Sequence, residues 1–324
     1  MKILVIGDGG WGTALSILLN NKGHNVTLWS YSPEYADVLR KKRENVKFLK
    51  GISIPGKIKI TSELKRKDIF DLVLFAVPCG YLSSVAEKFR DFPFGKIVSA
   101  TKGIENGSLR RPSEILKSYY KRASIAVLSG PSISGEVAKG FPAALVLAGK
   151  GLFREEAQKA LSTDRFRVYT SGDITGVELG GAVKNVVAIA AGISDGLGFG
   201  TNTKAAILTR GLAEIVRLGD TLGAKEDTFK GLSGIGDLAT TCMSSNSRNR
   251  WFGEQLGLGR KIQDILGETE MAVEGVLTSR SVNELAVKHS VDMPITRKIY
   301  EIIYEGKDPK RAVFELMTRE LKSE

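Results

Sequence analysis

Ile3-Leu4-Val5-Ile6-Gly7-Asp8-Gly9-Gly10-Trp11-Gly12-Thr13-Ala14 runs from a short apolar strand pattern through a glycine-rich turn into a helical pattern. In Gly7-x-Gly9-x-x-Gly12 the first glycine permits the tight turn, the second lets backbone approach a pyrophosphate, and the third allows the helix to pack closely on the strand. A second strand-like run, Val26 to Trp29, lies behind it. That context predicts a bound dinucleotide, with a purely structural turn as the alternative. An NAD-preferring site usually has an acid at the end of the second strand. Here that end reads Trp29-Ser30-Tyr31-Ser32, and no carboxylate follows until Glu34, so NADP is expected alongside NAD. FAD fits the glycine pattern alone.

Further along, Leu72 to Ala76, Ile97 to Ala100, Ile125 to Ser129, Ala144 to Ala148 and Phe166 to Thr170 read as strands. Thr13 to Lys22, Pro33 to Lys42 and Tyr81 to Phe89 read as helices between them. Unbroken apolar strands separated by helices imply a parallel sheet covered on both faces, an α/β doubly wound (Rossmann) domain over residues 1–175.

Beyond about Asp173 helical periodicity takes over, as in Ala205, Leu208, Leu212, Ile215 and Leu218 within Thr203 to Leu222. Residues 176–324 are therefore expected to form an all-α domain. Asp308-Pro309 predicts an N-cap and first helical position, with Val313, Leu316, Met317 and Leu321 on the apolar face. The glycine-rich stretch Gly192 to Gly200 reads as an ordered loop.

The 324 residues are 42% hydrophobic and 26% charged, which fits a globular protein of roughly two domains. Disorder is excluded as a default. Pro78 interrupts the run from Leu72, and Lys184 and Asn185 interrupt the run from Val177, so no membrane span is expected. The opening apolar run is too short for a secretory segment. Cys79 and Cys242 are the only cysteines and have no metal-ligand spacing, so the expected setting is reducing and cytoplasmic, without a metal. The net charge of +11 favours acidic partners: nucleic acid, anionic lipid or phosphorylated metabolites. Arg40-Lys41-Lys42-Arg43, late in a helix, reads as a solvated face complementing the helix dipole, with adenine-side cofactor contact as the minority reading.

Several residues can carry chemistry. The strand ends Ala76-Val77-Pro78-Cys79-Gly80, Ala100-Thr101-Lys102-Gly103 and Ser129-Gly130-Pro131-Ser132 line one crevice in an open parallel sheet. Lys102 and the backbone around Gly130 and Ser132 would converge there, where nicotinamide and substrate meet. An exposed surface lysine is the other reading of Lys102. Lys184 has Gly180, Gly181 and Ala188 at helical offsets of four, three and four, so it projects from a nearly bare face. It suits proton transfer in a cleft, or else snorkels to solvent. Asp237 sits in the glycine-flanked turn Gly234-Ile235-Gly236-Asp237-Leu238, as a functional carboxylate, a turn residue or an N-cap. Ser247-Arg248-Asn249-Arg250 precedes the helical pattern Trp251 to Leu256 and suits an anion, with a salt-bridged surface arginine as the alternative. Neither His24 nor His289 lies in a strand-end loop, which leaves a lysine as the candidate proton donor.

Six motifs in order, Gly7 to Ala14, Ala100 to Gly103, Ser129 to Ser132, Gly180 to Asn185, Gly234 to Leu238 and Ser247 to Asn249, together resemble the NAD(P)-dependent glycerol-3-phosphate dehydrogenases of the bacterial soluble type. The resemblance implies reversible hydride transfer between dihydroxyacetone phosphate and sn-glycerol 3-phosphate, supplying the phospholipid backbone. It implies a Rossmann domain followed by a helical domain, in a homodimer. Lys184 is then the general acid/base, Lys102 binds substrate beside it, and Asp237 orients or balances the lysines. Arg248 and Asn249 hold the substrate phosphate, Ser247 completes that pocket, and Arg248 also lies near the cofactor. The resemblance assigns Gly10, Trp11, Ser30 and Tyr31 to the dinucleotide, Ser134 to the cofactor wall, and Ala272 and Glu274 to a closing segment. Trp11 stands where Tyr or Phe is common, Gly10 where Ser is frequent, and Tyr31 where His or Arg is often seen.

Three other functions share parts of this pattern. A lysine-using dehydrogenase of 3-hydroxy acids or sugar acid phosphates has the same domain plan. A dinucleotide sensor would bind NAD(P) without turnover. A nucleic-acid-binding protein is suggested by charge alone, and no aromatic-interleaved basic stretch supports it.

Overall fold

The computed structural model describes residues 1–269, 272–321 and 323. Among the described residues ten strands form: β1 (Lys2–Ile6), β2 (Asn25–Trp29), β3 (Glu44–Asn45), β4 (Leu49–Ser53), β5 (Lys59–Thr61), β6 (Leu72–Phe75), β7 (Lys96–Ser99), β8 (Ser124–Ser129), β9 (Ala143–Ala148) and β10 (Phe166–Ser171). Helices α1 (Gly10–Asn21), α2 (Pro33–Lys42), α3 (Cys79–Lys88), α4 (Pro112–Tyr119), α5 (Ser134–Ala138) and α6 (Gly151–Leu161) alternate with them. Then come α7 (Ile174–Gly196), α8 (Thr201–Thr221), α9 (Glu226–Phe229), α10 (Asp237–Met243), α11 (Arg248–Gly257), α12 (Ile262–Gly267), α13 (Glu274–Lys288), α14 (Pro294–Tyr304) and α15 (Pro309–Met317). The chain divides into two compact units, Met1–Lys102 with Arg110–Glu178, and Gly103–Leu109 with Leu179–Glu324.

In the first unit the eight-stranded sheet has the order β10-β9-β8-β7-β6-β1-β2-β5. Its stretch from β5 to β8 follows the doubly wound strand order, with the switch between β1 and β6. Alternate residues of the same strands enter opposite cores. Ile3, Val5, Leu72 and Leu74 pack in one, Leu4, Ile6, Val73 and Phe75 in the other. That two-sided burial is why these strands read as continuous apolar runs.

The expected parallel sheet forms, with one pair of opposite direction: β8 and β9 run antiparallel, Leu128 opposite Leu147. An apolar run does not encode its direction. The antiparallel pair β3 and β4, the edge strand β5, and helices α4, α5 and α6 had no expectation set for them. Helix α2 matches its expected bounds to the residue, because Ser32 caps the N–H of Tyr35, Pro33 opens the helix, and Arg43 leaves it at φ 49°.

The second unit is helical, with α7 at its centre. Helix α7 is long and apolar enough by length and composition to cross a membrane, yet it is buried within the protein. One of its faces, with Leu179, Val183 and Val187, enters a core with Leu208, Ile215 and Leu218 of α8. Another face, with Val186, Ile189 and Ile193, packs with Phe252, Ile299 and Ile302.

Gly192 and Gly196 correct the expected loop from Gly192 to Gly200, since both lie inside α7. Their reason for being glycine is contact, not turning. A Cβ on Gly192 would stand 1.9 Å from the Arg250 carbonyl oxygen, and one on Gly253 would stand 2.0 Å from that of Ile189. Gly196 and Gly257 continue the same approach of α7 and α11. In α15 the capping expectation is met by Asp308, which accepts from the Arg311 N–H. Its apolar face is corrected: Ala312 is buried and Leu316 packs beside it, whereas Met317 is 79% exposed and Leu321 lies past the helix.

Buried carboxylates tie two helix starts. Glu214 accepts from the Ile295 and Thr296 N–H groups and the Thr296 hydroxyl at the start of α14. Glu178 does the same for α4, accepting from the N–H and hydroxyl of Ser113 and from Arg111. Burial pushes both carboxyls up to about 7, against these donors.

Gly253→Ala is expected to lower the unfolding free energy by about 3 kcal/mol or more, since backbone must separate to admit the methyl. Gly267→Ala, where a Cβ meets nothing within 4 Å, is expected to be neutral or to stabilise by up to about 1 kcal/mol. Denaturant unfolding of the two variants checks the contrast.

Candidate active site

The candidate residues divide between the two units, and each group is built by its own local packing. In the first unit β1 delivers the chain into Gly7, whose φ of 117° suits glycine and whose Cβ would meet the Ala76 carbonyl oxygen at 2.6 Å. A Cβ on Gly12 would lie 1.9 Å from the Gly7 carbonyl oxygen, so strand, turn and helix α1 close on one another. Gly9 is different. Its φ is −65°, and a Cβ there would meet nothing within 4 Å. Neither backbone conformation nor packing requires glycine at that position, which fits an external group lying against the backbone. Helix α1 has no side-chain cap and no acid in its first turn, which leaves its leading N–H groups suited to a phosphate. The residues present therefore fit a dinucleotide.

Around this turn the structure explains one departure seen in the sequence. Gly10 faces the Phe48 carbonyl oxygen, 2.6 Å from where a Cβ would stand, so a serine does not fit without a shift. Asn45 fastens that segment to the turn, donating to the Asp8 carbonyl and the Thr13 hydroxyl at 2.7 Å each. The Trp11 ring packs 6.4 Å from Phe166, centroid to centroid, and its indole N–H is buried with no hydrogen-bond partner among the described residues.

At the end of β2, Ser30 is fully buried and donates to Asp8 Oδ2 at 2.5 Å. Burial raises the Asp8 carboxyl from its ordinary value, and the Ser30 bond opposes that rise. Tyr31 is 69% exposed, and the Lys88 ammonium lies 5.6 Å from its ring and 5.1 Å from that of Trp29. The expectation that no carboxylate stands near this strand end is thus corrected, because Asp8 reaches it from the glycine turn. Lys102 donates to the Gly130 carbonyl at 3.2 Å, and the Ser132 hydroxyl donates to the same oxygen at 2.8 Å. Gly130 itself has φ 139°. Ser134 is the first residue of the short helix α5.

In the second unit Lys184 is buried on α7, and its Nζ donates to Asp237 Oδ1 at 2.5 Å and to the Thr241 hydroxyl oxygen at 2.7 Å. Asp237 opens α10 after a π-helical turn, Leu232–Gly236, and is buried. The fit depends on Gly180, where a Cβ would lie 2.3 Å from the Ser233 carbonyl oxygen. An aspartate and a hydroxyl on one helix turn thereby hold the ammonium in a fixed direction.

Asn249 spends both ends of its amide inside the protein. Its oxygen accepts from the Gly275 N–H and its nitrogen donates to Asn185 Oδ1, each at 2.9 Å. The Gly275 donor fixes the orientation of Asn249, and Asn249 in turn fixes that of Asn185. The Asn185 Nδ2 is then buried with no hydrogen-bond partner among the described residues, beside Lys184 in the chain. Ser247 caps α11 by accepting from the Arg250 N–H. Arg248, exposed at the first position of α11, donates to the Ala272 carbonyl at 3.0 Å, and Glu274 opens α13.

Thr241 and Asn185 were not singled out from sequence. Thr241 lies one helical turn after Asp237, a spacing that would have found it once Asp237 was placed on a helix. Asn185 lay inside a quoted motif, but its role shows only when its amide is left without a partner.

Comparison with known proteins agrees with both units. The family model for the N-terminus of NAD-dependent glycerol-3-phosphate dehydrogenase matches residues 2–152, and the model for its C-terminus matches residues 173–314. The glycerol-3-phosphate dehydrogenase (NAD(P)+) of Chlorobium phaeobacteroides (strain DSM 266 / SMG 266 / 2430) is 48% identical over 331 residues, covering 100% of this chain and 99% of that one. The enzyme of the same name from Citrifermentans bemidjiense is 48% identical over 332 residues, covering 100% and 98%. The crystal structure of glycerol-3-phosphate dehydrogenase from Coxiella burnetii aligns with a TM-score of 0.94 at 38% identity, covering 98% of this chain and 99% of that one. With two lysine- and glycine-built halves that match over their length, the chain belongs to the NAD-dependent glycerol-3-phosphate dehydrogenase family, NAD(P)-linked oxidoreductases with a Rossmann nucleotide domain and a helical C-terminal domain.

Proposed function

We propose that this chain interconverts dihydroxyacetone phosphate and sn-glycerol 3-phosphate, with Lys184 as the group that gives and takes the proton. The observation carrying this reading is the buried Lys184 ammonium held by Asp237 and Thr241. The nicotinamide, when bound, supplies or accepts the hydride. In the reducing direction Lys184 gives a proton to the carbonyl oxygen as negative charge develops there. Asp237 and Thr241 keep the Lys184 nitrogen in place, and the amine left after the transfer takes its next proton from solvent.

The other residues bind and orient. Asn185 Nδ2, which has no hydrogen-bond partner among the described residues, is assigned a substrate oxygen as its acceptor. Asn249 holds Asn185 in that orientation, while the Arg248 guanidinium and the start of α11, with Ser247, receive the phosphate. Lys102, with Gly130 and Ser132, is assigned to substrate binding, and Lys102 also to the cofactor. Gly7, Gly9, Gly10, Trp11, Gly12, Ser30, Tyr31, Ser134, Arg248, Ala272 and Glu274 are assigned to NAD(P). The family resemblance supports a homodimer in the cytoplasm that supplies the phospholipid backbone, acting on no nucleic acid.

Oxidation of NADH or NADPH is expected with dihydroxyacetone phosphate and not with unphosphorylated dihydroxyacetone; no oxidation with the phosphate ester overturns the reading. Lys184→Ala is expected to reduce kcat by about 10²–10⁴-fold or more, while Arg248→Ala chiefly raises KM for the phosphate ester. Steady-state kinetics of both variants separate the two roles.

Asn185→Ala and Asn249→Ala are expected to reduce kcat/KM together, and the double variant to lose little beyond the worse single one, since Asn249 acts through Asn185. Fully additive losses would show that the two amides act separately.

A further inference from the structure

We propose that Asp8, the second residue of the glycine turn, sets the cofactor preference of this chain and favours NAD(H) over NADP(H). The inference rests on the NAD(P) reading above. In doubly wound nucleotide domains an acid near the end of the second strand accepts the ribose hydroxyls, and its charge disfavours a 2′-phosphate. Here that strand end carries Ser30, which is fully buried and donates its hydroxyl to Asp8 Oδ2 at 2.5 Å.

Strand register makes this pairing unavoidable. Ile6 of β1 lies opposite Trp29 of β2, and the Gly7 N–H bonds the Trp29 carbonyl at 3.1 Å. Asp8 therefore leaves the turn alongside Ser30, and the carboxylate missing from β2 is delivered by β1. Asp8 is only partly exposed, so its charge is screened less than that of a solvated acid.

Two other charges flank this strand end. Glu34 is exposed and accepts from the Ser32 hydroxyl at 2.6 Å, at the start of α2. Lys88 lies over the rings of Trp29 and Tyr31 and is the opposing charge, one that would favour a 2′-phosphate. Asp8 outweighs it because it is joined to the strand-end residue itself.

Calorimetric titration of the purified full chain with NADH and with NADPH reads binding without turnover. The wild-type protein is expected to bind NADH about tenfold or more tightly than NADPH, and Asp8→Asn to shift that ratio toward NADPH by about tenfold. Glu34→Gln is expected to leave the ratio within about twofold. Equal binding or an NADPH preference in the wild type overturns the proposal, and this arm needs no variant to fold. A ratio that survives in a folded Asp8→Asn or Asp8→Ala protein, verified by its melting transition, overturns it as well. Failure of the wild type to bind either nucleotide overturns the NAD(P) reading itself.

Discussion

The close backbone approach of α7 and α11 is the constraint on which the second unit depends. Gly192, Gly196, Gly253 and Gly257 replace side chains with contact between main chains, and each Cβ would stand within 2.5 Å of a carbonyl oxygen on the other helix. The row continues one turn toward the start of α11. Ile189 and Gly253 form one rung, and Asn185 and Asn249, each four residues earlier, form the next as a hydrogen bond. Glycine packing therefore sets the separation at which two short amides meet, and the orientation of Asn185 beside Lys184 follows. Side chains at the glycine positions would part the helices and break that bond.

The same helix carries a charge into the interior, and that is tolerable only because its partner is built in. Burying an unpaired ammonium costs several kcal/mol and would drive it neutral. Asp237 and Thr241, both on α10, supply hydrogen-bond partners to the Lys184 nitrogen. Glu214 and Glu178 follow the same rule differently, each taking its donors from a helix start rather than from an ammonium. Glu214 and Glu178 thus fasten helix starts, whereas Lys184 with Asp237, and Glu301 with Lys298 and Lys307, are buried charges held by an opposite charge.

Much of the fold was legible because local chemistry and tertiary packing agree. The β1 turn into α1 and the capped helix α2 carry their own signals, and Gly7 and Gly12 have close backbone neighbours of the kind their motif implies. The antiparallel direction of β9 was not legible, since Ala143 to Ala148 presents the same apolar run in either direction. The glycines at 192 and 196 misled because a helix contact and a loop draw on the same residue. In the site, Lys184 and Asp237 were visible as residue types in unusual settings. Their pairing was not, because 53 residues separate them and their helices meet through tertiary packing, including the fit of Gly180 against Ser233.

Asp8 shows the limit most clearly. A sequence scan for the nucleotide-recognising acid looks along β2 and stops at Ser30, because it treats each strand end as belonging to its own strand. Parallel pairing erases that distinction: with Ile6 opposite Trp29, the residues just past the two strands share one neighbourhood. A carboxylate on the glycine turn then lies beside the end of β2, and the buried Ser30 hydroxyl holds it there. The chemistry of the site is fixed by where charge lies relative to the end of the strand, and two different sequence positions can supply it.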